Sequence, residues 1–224
     1  LFNALTGLRA KVGNYAGVTV ERKEGALLGA DPSHPVTVLD LPGTYSLSPQ
    51  SLDEQIARDV LFHRLPEVGP PDLVVVVVDA SNLQRNLYYA TQVIELGHPT
   101  LLALNMVDVA SENGLAIDQE GLSAALGVPV FPLVASQGEG VEALRRALRE
   151  FAARPGTKTV IPREFNELPE VFGREAQALE RQLEALFPNR QRLAASEALL
   201  LLSDDLVLQS HRDLYPGSVM EAVT

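Results

Sequence analysis

Hydrophobic and polar positions in this chain follow two alternating periods, short apolar runs and helical stripes. Val36, Val38 and Leu39 form a β-branched and apolar run that predicts a buried strand ending at Asp40. Leu73 to Val78 is nearly pure Val, the mark of a parallel strand buried on both faces. Leu101 to Leu104 and Val128 to Val134 predict two more strands. Helices fall between the runs. Leu1 to Gly7 reads as a helix closed by its Gly. Ser51 with Glu54 makes a capping box ahead of Ile56, Val60, Leu61 and Leu65, and the acidic pair Asp53 and Glu54 suits a first helical turn. Asp79-Ala80-Ser81-Asn82 ends one strand and starts a helix to Gly97, and helices are also predicted around Leu122–Gly127 and over Val141–Phe151. Six alternating segments predict a doubly wound α/β domain with its ligands at the carboxyl ends of the strands.

The strand ends carry the chemistry. Asp40-Leu41-Pro42-Gly43 places a carboxylate at a strand tip beside a Gly that lets backbone approach a ligand. In a nucleotide triphosphatase such an Asp holds Mg²⁺ through water and the Gly amide senses the terminal phosphate. A strand ending in an ordinary turn has the same appearance. The second strand end, Asn105-Met106-Val107-Asp108, changes the picture. Its carboxylate suits the N1–H and 2-amino group that guanine has and adenine lacks. Both motifs in this order point to a guanine-nucleotide switch. Lys11 to Gly25, with Gly13, Asn14 and Gly17, reads as a flexible loop whose far edge offers Thr19. In a switch that Thr binds Mg²⁺ and meets the γ-phosphate. Glu21 and Glu24 resemble a metal pair, but on a strand i and i+3 point to opposite faces. Ala135-Ser136-Gln137-Gly138 falls where a backbone N–H would meet the guanine O6, with Ser136 the chosen contact beside Ala135.

Composition narrows the class. The 224 residues carry a formal charge of −11, which disfavours nucleic acid as a partner. There is no Cys, which excludes disulfides and thiolate chemistry. The four His are scattered and none pairs at ligand spacing, which predicts surface roles. The longest apolar run is too short to cross a bilayer and no signal peptide is visible, so a cytosolic, soluble piece is expected. No phosphate loop, G-x-x-x-x-G-K-[ST], occurs in the sequence. It is expected before Leu1, on a strand that would sit mid-sheet, and without that strand the neighbours would show uncovered apolar faces.

V-G-N-Y-A-G-V-T-V-E-R-K-E-G, then D-L-P-G-T-Y-S-L, S-L-D-E-Q-I-A, V-D-A-S-N-L-Q-R-N-L-Y and L-N-M-V-D, resemble the cytosolic G domain of FeoB, the bacterial ferrous iron transporter family, from Leu1 to about Phe151. The resemblance implies a Ras-like P-loop GTPase domain over residues 1–152, a linker over 153–164 and a small all-α, GDI-like domain over 165–224. It implies binding of GTP and GDP with Mg²⁺, and slow hydrolysis stimulated by K⁺. Thr19 and Gly43 would be catalytic, and Thr19 and, through water, Asp40 would hold Mg²⁺. Asn105, Met106, Asp108, Ala135 and Ser136 would frame the base. The backbone carbonyls of Gly13 and Tyr15 would hold K⁺. Thr44 stands where Ras-like proteins place the water-orienting Gln, so water would be held by backbone groups and the cation. The expected partners are the chain's own C-terminal transmembrane permease after Thr224, a second copy of the chain and small cytosolic Feo proteins, at the cytoplasmic face of the bacterial inner membrane.

Beyond the Pro-rich stretch Ala152–Pro162 the alternation stops. Ala176, Leu179, Leu183 and Leu186 share one helical face, Leu193–Leu202 is strongly apolar, and Leu199–Leu202 reads as core rather than a partner site. Three other functions stay open at this level: a nucleotide sensor with negligible turnover, an RNA-associated GTPase and an inert structural fragment.

Overall fold

A computed structural model describes residues 1–7, 11–15, 18–49, 51–154, 165, 168–203 and 214–223. The linker proposed over 153–164 lies almost wholly outside the described residues. α1 (Phe2–Thr6) ends on Gly7 at φ 65°, whose N–H returns to the Asn3 carbonyl. This is the left-handed cap expected of that Gly.

β1 (Lys11–Asn14), β2 (Glu21–Ala26) and β3 (Thr37–Asp40) form an antiparallel sheet in that order. The loop predicted over Lys11–Gly25 is therefore largely two strands, with Val12 opposite Lys23 and Gly13 opposite Arg22. Pairing with β2 satisfies backbone groups that Gly13 and Asn14 alone suggested would stay unpaired. On β2, Glu21 pairs with Lys23 and Glu24 with Arg22, so the two carboxylates do point apart.

β4 (Val74–Asp79), β5 (Thr100–Asn105) and β6 (Val130–Leu133) form a second, parallel sheet with β5 central. Its side chains divide by the period of two. Val76, Val78, Leu102, Leu104 and Val130 join one core with Ala90 and Val93 of α3 (Leu83–Glu95). Leu101, Ala103 and Leu133 join the other with Leu5 of α1 and Leu144 and Leu148 of α6 (Val141–Ala152). Helices thus cover both faces, as a doubly wound sheet requires. α4 (Val107–Glu112) and α5 (Gln119–Leu126) complete the alternation.

β4 departs from expectation at one edge. Val77 is 50% exposed rather than buried on both faces. The edges of β3 and β4 face each other across a cleft of about 820 Å³, walled by Val38, Asp40, Val75 and Val77 among others. The same cleft separates the described strands into two sheets within one α/β architecture.

α2 (Leu52–Leu61) opens on Ser51, whose hydroxyl accepts from the Glu54 N–H at 3.3 Å. Ser51→Ala is expected to cost about 1 kcal/mol, measured by urea unfolding, because a first-turn N–H loses its acceptor. α2 closes on an unexpected residue. His63 takes φ 56°, its N–H bonds to Val60 O, and the Arg64 N–H bonds to Asp59 O at 2.8 Å. This is a Schellman closure with His where Gly is usual.

The His63 ring lies 5.3 Å from that of His98, which is buried and donates from Nε2 to the Leu61 carbonyl at 2.8 Å. His98 is therefore no surface residue: the turn before β5 carries it under the end of α2. Burial, with His98 and Arg190 nearby, lowers the His63 pKa to about 4, and burial also lowers that of His98. Both rings stay neutral in the fold, while the unfolded chain takes up protons near pH 6.5. Between pH 6.5 and 4 the unfolded state binds more protons, so stability falls as pH falls. A loss on the order of 2 kcal/mol, discounted for partial exposure, is expected from pH 7 to 4.5. Urea titrations of the wild type and His63→Asn, which tolerates the left-handed backbone, check it.

α7 (Glu170–Leu186), α8 (Ala194–Ser203) and α9 (Gly217–Val223) make the helical part. Ala176, Leu179 and Leu183 are buried, but Leu186, a turn further on, is 41% exposed because the helix ends there beyond its neighbours. Leu200 and Leu201 are core. This core is continuous with Leu61, Phe62 and Leu96 of the α/β part. At the junction Arg64, with its side chain 3% exposed, meets Glu197 at 2.7 Å, and the Tyr215 hydroxyl bonds to both. Arg58 and Asp59 extend the buried charges on the α2 side and Arg190 on the other. Among the described residues no helix is long and apolar enough to cross a membrane.

Candidate functional site

The residues predicted from the motifs fall into two groups, one at the carboxyl end of the parallel sheet and one around the end of β3. The first stands at the end of the parallel sheet, where Asp79, Asn105 and Leu133 align across β4, β5 and β6. Asp79 is spent locally: its carboxylate accepts from the N–H and hydroxyl of Ser81 and caps the turn into α3. Asn105 instead reaches sideways, its Oδ1 accepting from the Ala135 N–H at 3.0 Å. One side chain thereby ties the loop after β6 to the loop after β5, although the two are 30 residues apart in sequence.

Between Asn105 and Asp108 the chain turns from strand to helix within one residue. Met106 makes the turn at φ 63° and caps α4. A non-Gly residue in this region costs roughly 1 kcal/mol, and such strain collects where side chains must be aimed. The gain here is that Asp108 follows Asn105 to the same end of the sheet. Asp108 accepts at Oδ2 from the Gln137 amide at 3.3 Å, whereas Oδ1 is buried with no hydrogen-bond partner among the described residues. An anionic oxygen held from water without a donor is costly, and a ligand N–H would relieve that cost.

The 135–140 loop is held by its glycines and one bridge. Val134 pairs with Glu139, and Gln137 N–H closes the turn onto Val134 O. Gly140 adopts φ 72°, and a Cβ there would lie 2.2 Å from the Pro132 carbonyl. Any side chain would push the loop off β6. Ser136 is exposed, with its neighbour Ala135 half-buried. Gln137 escaped the sequence reading; its place in the loop was visible, but its pairing with Asp108 depends on strand adjacency.

The second group lies at the end of β3. Asp40 is exposed at the rim of the cleft, and Gly43 has open space around it. Thr19 is exposed just before β2. Gly13 sits within β1 rather than in a free loop. The Tyr15 carbonyl accepts from Val18 N–H at a long 3.3 Å, its N–H donates to Val20 O, and its ring is buried. Burial raises the Tyr15 pKa. Among the described residues no cluster of three or more His, Cys, Asp or Glu suits a metal held by protein alone. A cation here would need ligand oxygens as well.

Comparison with known proteins gives a consistent answer. Residues 1–148 match the family model for ferrous iron transport protein B. The Fe(2+) transporter FeoB of Shigella flexneri is 51% identical over 164 residues, covering 71% of this chain and 20% of that protein. The chain thus spans about a fifth of the length of the curated relatives it matches. Among solved structures, the cytosolic domain of L. pneumophila FeoB superposes with a TM-score of 0.82 at 33% identity, over 99% of this chain and 82% of that one. The cytosolic domain of the T. maritima FeoB iron transporter in a GDP form gives 0.76 at 34% identity, over 94% and 77%.

Proposed function

The chain belongs to the ferrous iron transport protein B family, and from that premise we propose that it is a guanine-nucleotide switch. It binds GTP and GDP, hydrolyses GTP to GDP and phosphate, and thereby serves Fe²⁺ uptake by a longer transporter at the bacterial inner membrane. The observation that carries this reading is the buried Oδ1 of Asp108, which has no hydrogen-bond partner among the described residues, beside an Oδ2 that accepts from the exposed Gln137 amide. Two adjacent carboxylate acceptors suit the N1–H and 2-amino pair of guanine. Adenine, with an unprotonated N1 and no 2-amino group, offers neither donor. Asn105 takes up the Ala135 N–H and so braces the loop from which Ser136 would present its backbone N–H to the guanine O6, with Ala135 beside it.

In the phosphate half, the residues present fit the expected cations. Asp40 is exposed at the cleft and Thr19 lies at the strand start, so both would take part in an Mg²⁺ shell completed by water and phosphate oxygens. The Tyr15 carbonyl keeps a second lone pair for K⁺, beside that of Gly13. When bound, these cations neutralise charge on the phosphates. The protein's own part is to aim Gly43 at the terminal phosphate and to keep Asn105 and Asp108 on the base. Thr44, the residue after Gly43, donates its hydroxyl to Ser46 O at 2.8 Å, which engages its proton away from an attacking water and accords with the slow turnover proposed here.

The test is a titration of the full-length polypeptide with fluorescent GDP and GTP analogues, with ATP as competitor, followed by turnover in K⁺ and in Na⁺. Micromolar binding that ATP fails to displace, with faster turnover in K⁺, is expected. Displacement by ATP would refute the base assignment, and equal rates in the two salts would refute the cation's role.

A further inference from the structure

Resting on the guanine-nucleotide reading, we propose that Gln92 and Arg85 of α3 are positioning residues for the switch segment that follows Asp40-Leu41-Pro42-Gly43. The segment Thr44–Ser48 is folded largely on itself. Thr44 Oγ1 donates to Ser46 O, Ser46 Oγ donates to Ser48 O at 3.0 Å, and the Ser48 N–H donates back to Ser46 Oγ at 3.2 Å. Such bonds shape a turn without fixing where it sits. Its place comes from α3. The Leu47 N–H donates to Gln92 Oε1 at 3.0 Å across 45 residues of sequence, and the Leu47 side chain is buried in the core that α3 helps to build. Two residues earlier, the Tyr45 ring lies under the Arg85 guanidinium at 4.0 Å.

The two anchors share one stripe of α3. Arg85, Tyr88 and Gln92 are spaced three and four apart, so they line a single helical face. Gln92 Nε2 donates to the Tyr88 hydroxyl at 3.2 Å. Using the amide N–H there turns Oε1 toward the Leu47 N–H. Tyr88 is 60% exposed, so its place in the stripe is not explained by burial.

The consequence falls on Gly43. A Cβ built there meets nothing within 4 Å, so the space beside its Cα is open. It is held through the chain on either side: β3 before it, and the clasp at Tyr45 and Leu47 after it. A clasped segment presents the Gly43 amide already ordered, so the γ-phosphate does not have to pay that ordering cost on binding. Loss of the clasp therefore weakens triphosphate binding and leaves diphosphate binding unchanged, because GDP has no group to meet Gly43.

The experiment uses the full-length polypeptide and three variants, Gln92→Leu, Gln92→Glu and Arg85→Ala. Hydrogen exchange by mass spectrometry, without nucleotide, is followed in the peptide containing Leu47. Affinities for GDP and for the non-hydrolysable β,γ-imido analogue of GTP are measured in parallel. Gln92→Leu is expected to speed exchange of that peptide about tenfold and to weaken the imido analogue three- to tenfold, with GDP affinity unchanged. Gln92→Glu keeps an acceptor and should restore both, and Arg85→Ala should give about a twofold effect in the same direction. Unchanged exchange in Gln92→Leu, equal losses for both nucleotides, or tighter triphosphate binding would each overturn the positioning role. A wild-type chain that binds neither nucleotide defeats the functional reading and this role with it, whatever the exchange rates. Normal wild-type binding with indifferent variants defeats the positioning role alone.

Discussion

Asp108→Asn is expected to weaken guanine-nucleotide binding by about 100-fold or more. The buried Oδ1 and its partner oxygen are acceptors in the wild type. An Asn replaces one acceptor with an NH₂ donor, which then faces the N1–H and 2-amino donors of guanine. Two charge-assisted hydrogen bonds are lost, each contributing about 1.5–3 kcal/mol, and a donor–donor contact is added. The change predicts a reversal of preference as well as a loss. A purine with a carbonyl oxygen at C2, as in xanthine, gives the new NH₂ an acceptor. Competition between guanosine and xanthosine diphosphates for the variant settles the matter. Retained guanine preference in Asp108→Asn would sink the assignment of the base site, since the substitution is nearly isosteric and leaves the fold in place.

The second large effect concerns stability. Glu197→Ala is expected to lower unfolding free energy by about 3–5 kcal/mol, because it leaves Arg64 buried without its 2.7 Å partner and takes the acceptor from Tyr215. Arg190, 3.6 Å from the same carboxylate, loses a counter-charge too. The cost belongs to a buried charge that loses its nearest counter-charge and keeps Asp59 at 3.7 Å, more than to the pair itself. The double variant Arg64→Met/Glu197→Leu, which removes both charges and keeps apolar bulk, should therefore recover much of the loss. Chemical denaturation of both variants at pH 7 tests this. A loss below about 1 kcal/mol in Glu197→Ala would mean that water reaches the junction in solution.

Both effects start from residues of unequal visibility in the sequence. Asp108 announced itself, because an Asn and an Asp three apart at the end of an apolar run already form a pattern with chemical meaning. Glu197 did not. It lies in an apolar helix, and its partner Arg64 is 133 residues away, just past the end of another. His98 belongs with it: four scattered His without ligand spacing predict surface roles, yet the turn before β5 is tucked under the end of α2. Gly13 and Asn14 suggested a loop, and the partner strand β2 overrode that local preference.

What the sequence by itself determined is everything that neighbours within a few residues decide. The parallel strands, the Ser51 cap, the left-handed Gly7 and the two strand-end motifs belong here, because side-chain period, capping and backbone freedom act over one or two turns. Only the tertiary structure decided which edge of β4 faces the cleft, how Asn105 reaches Ala135, and where Gln92 clasps Leu47. It also decided which charges are buried at the junction with the helical part. Each of those depends on strand order and helix docking, which bring together residues 30 to 133 positions apart. A hydrogen bond or ion pair at that range forms only after the chain has paid the entropy of closing the loop between its partners. Its presence is therefore a property of the topology and not of any local stretch.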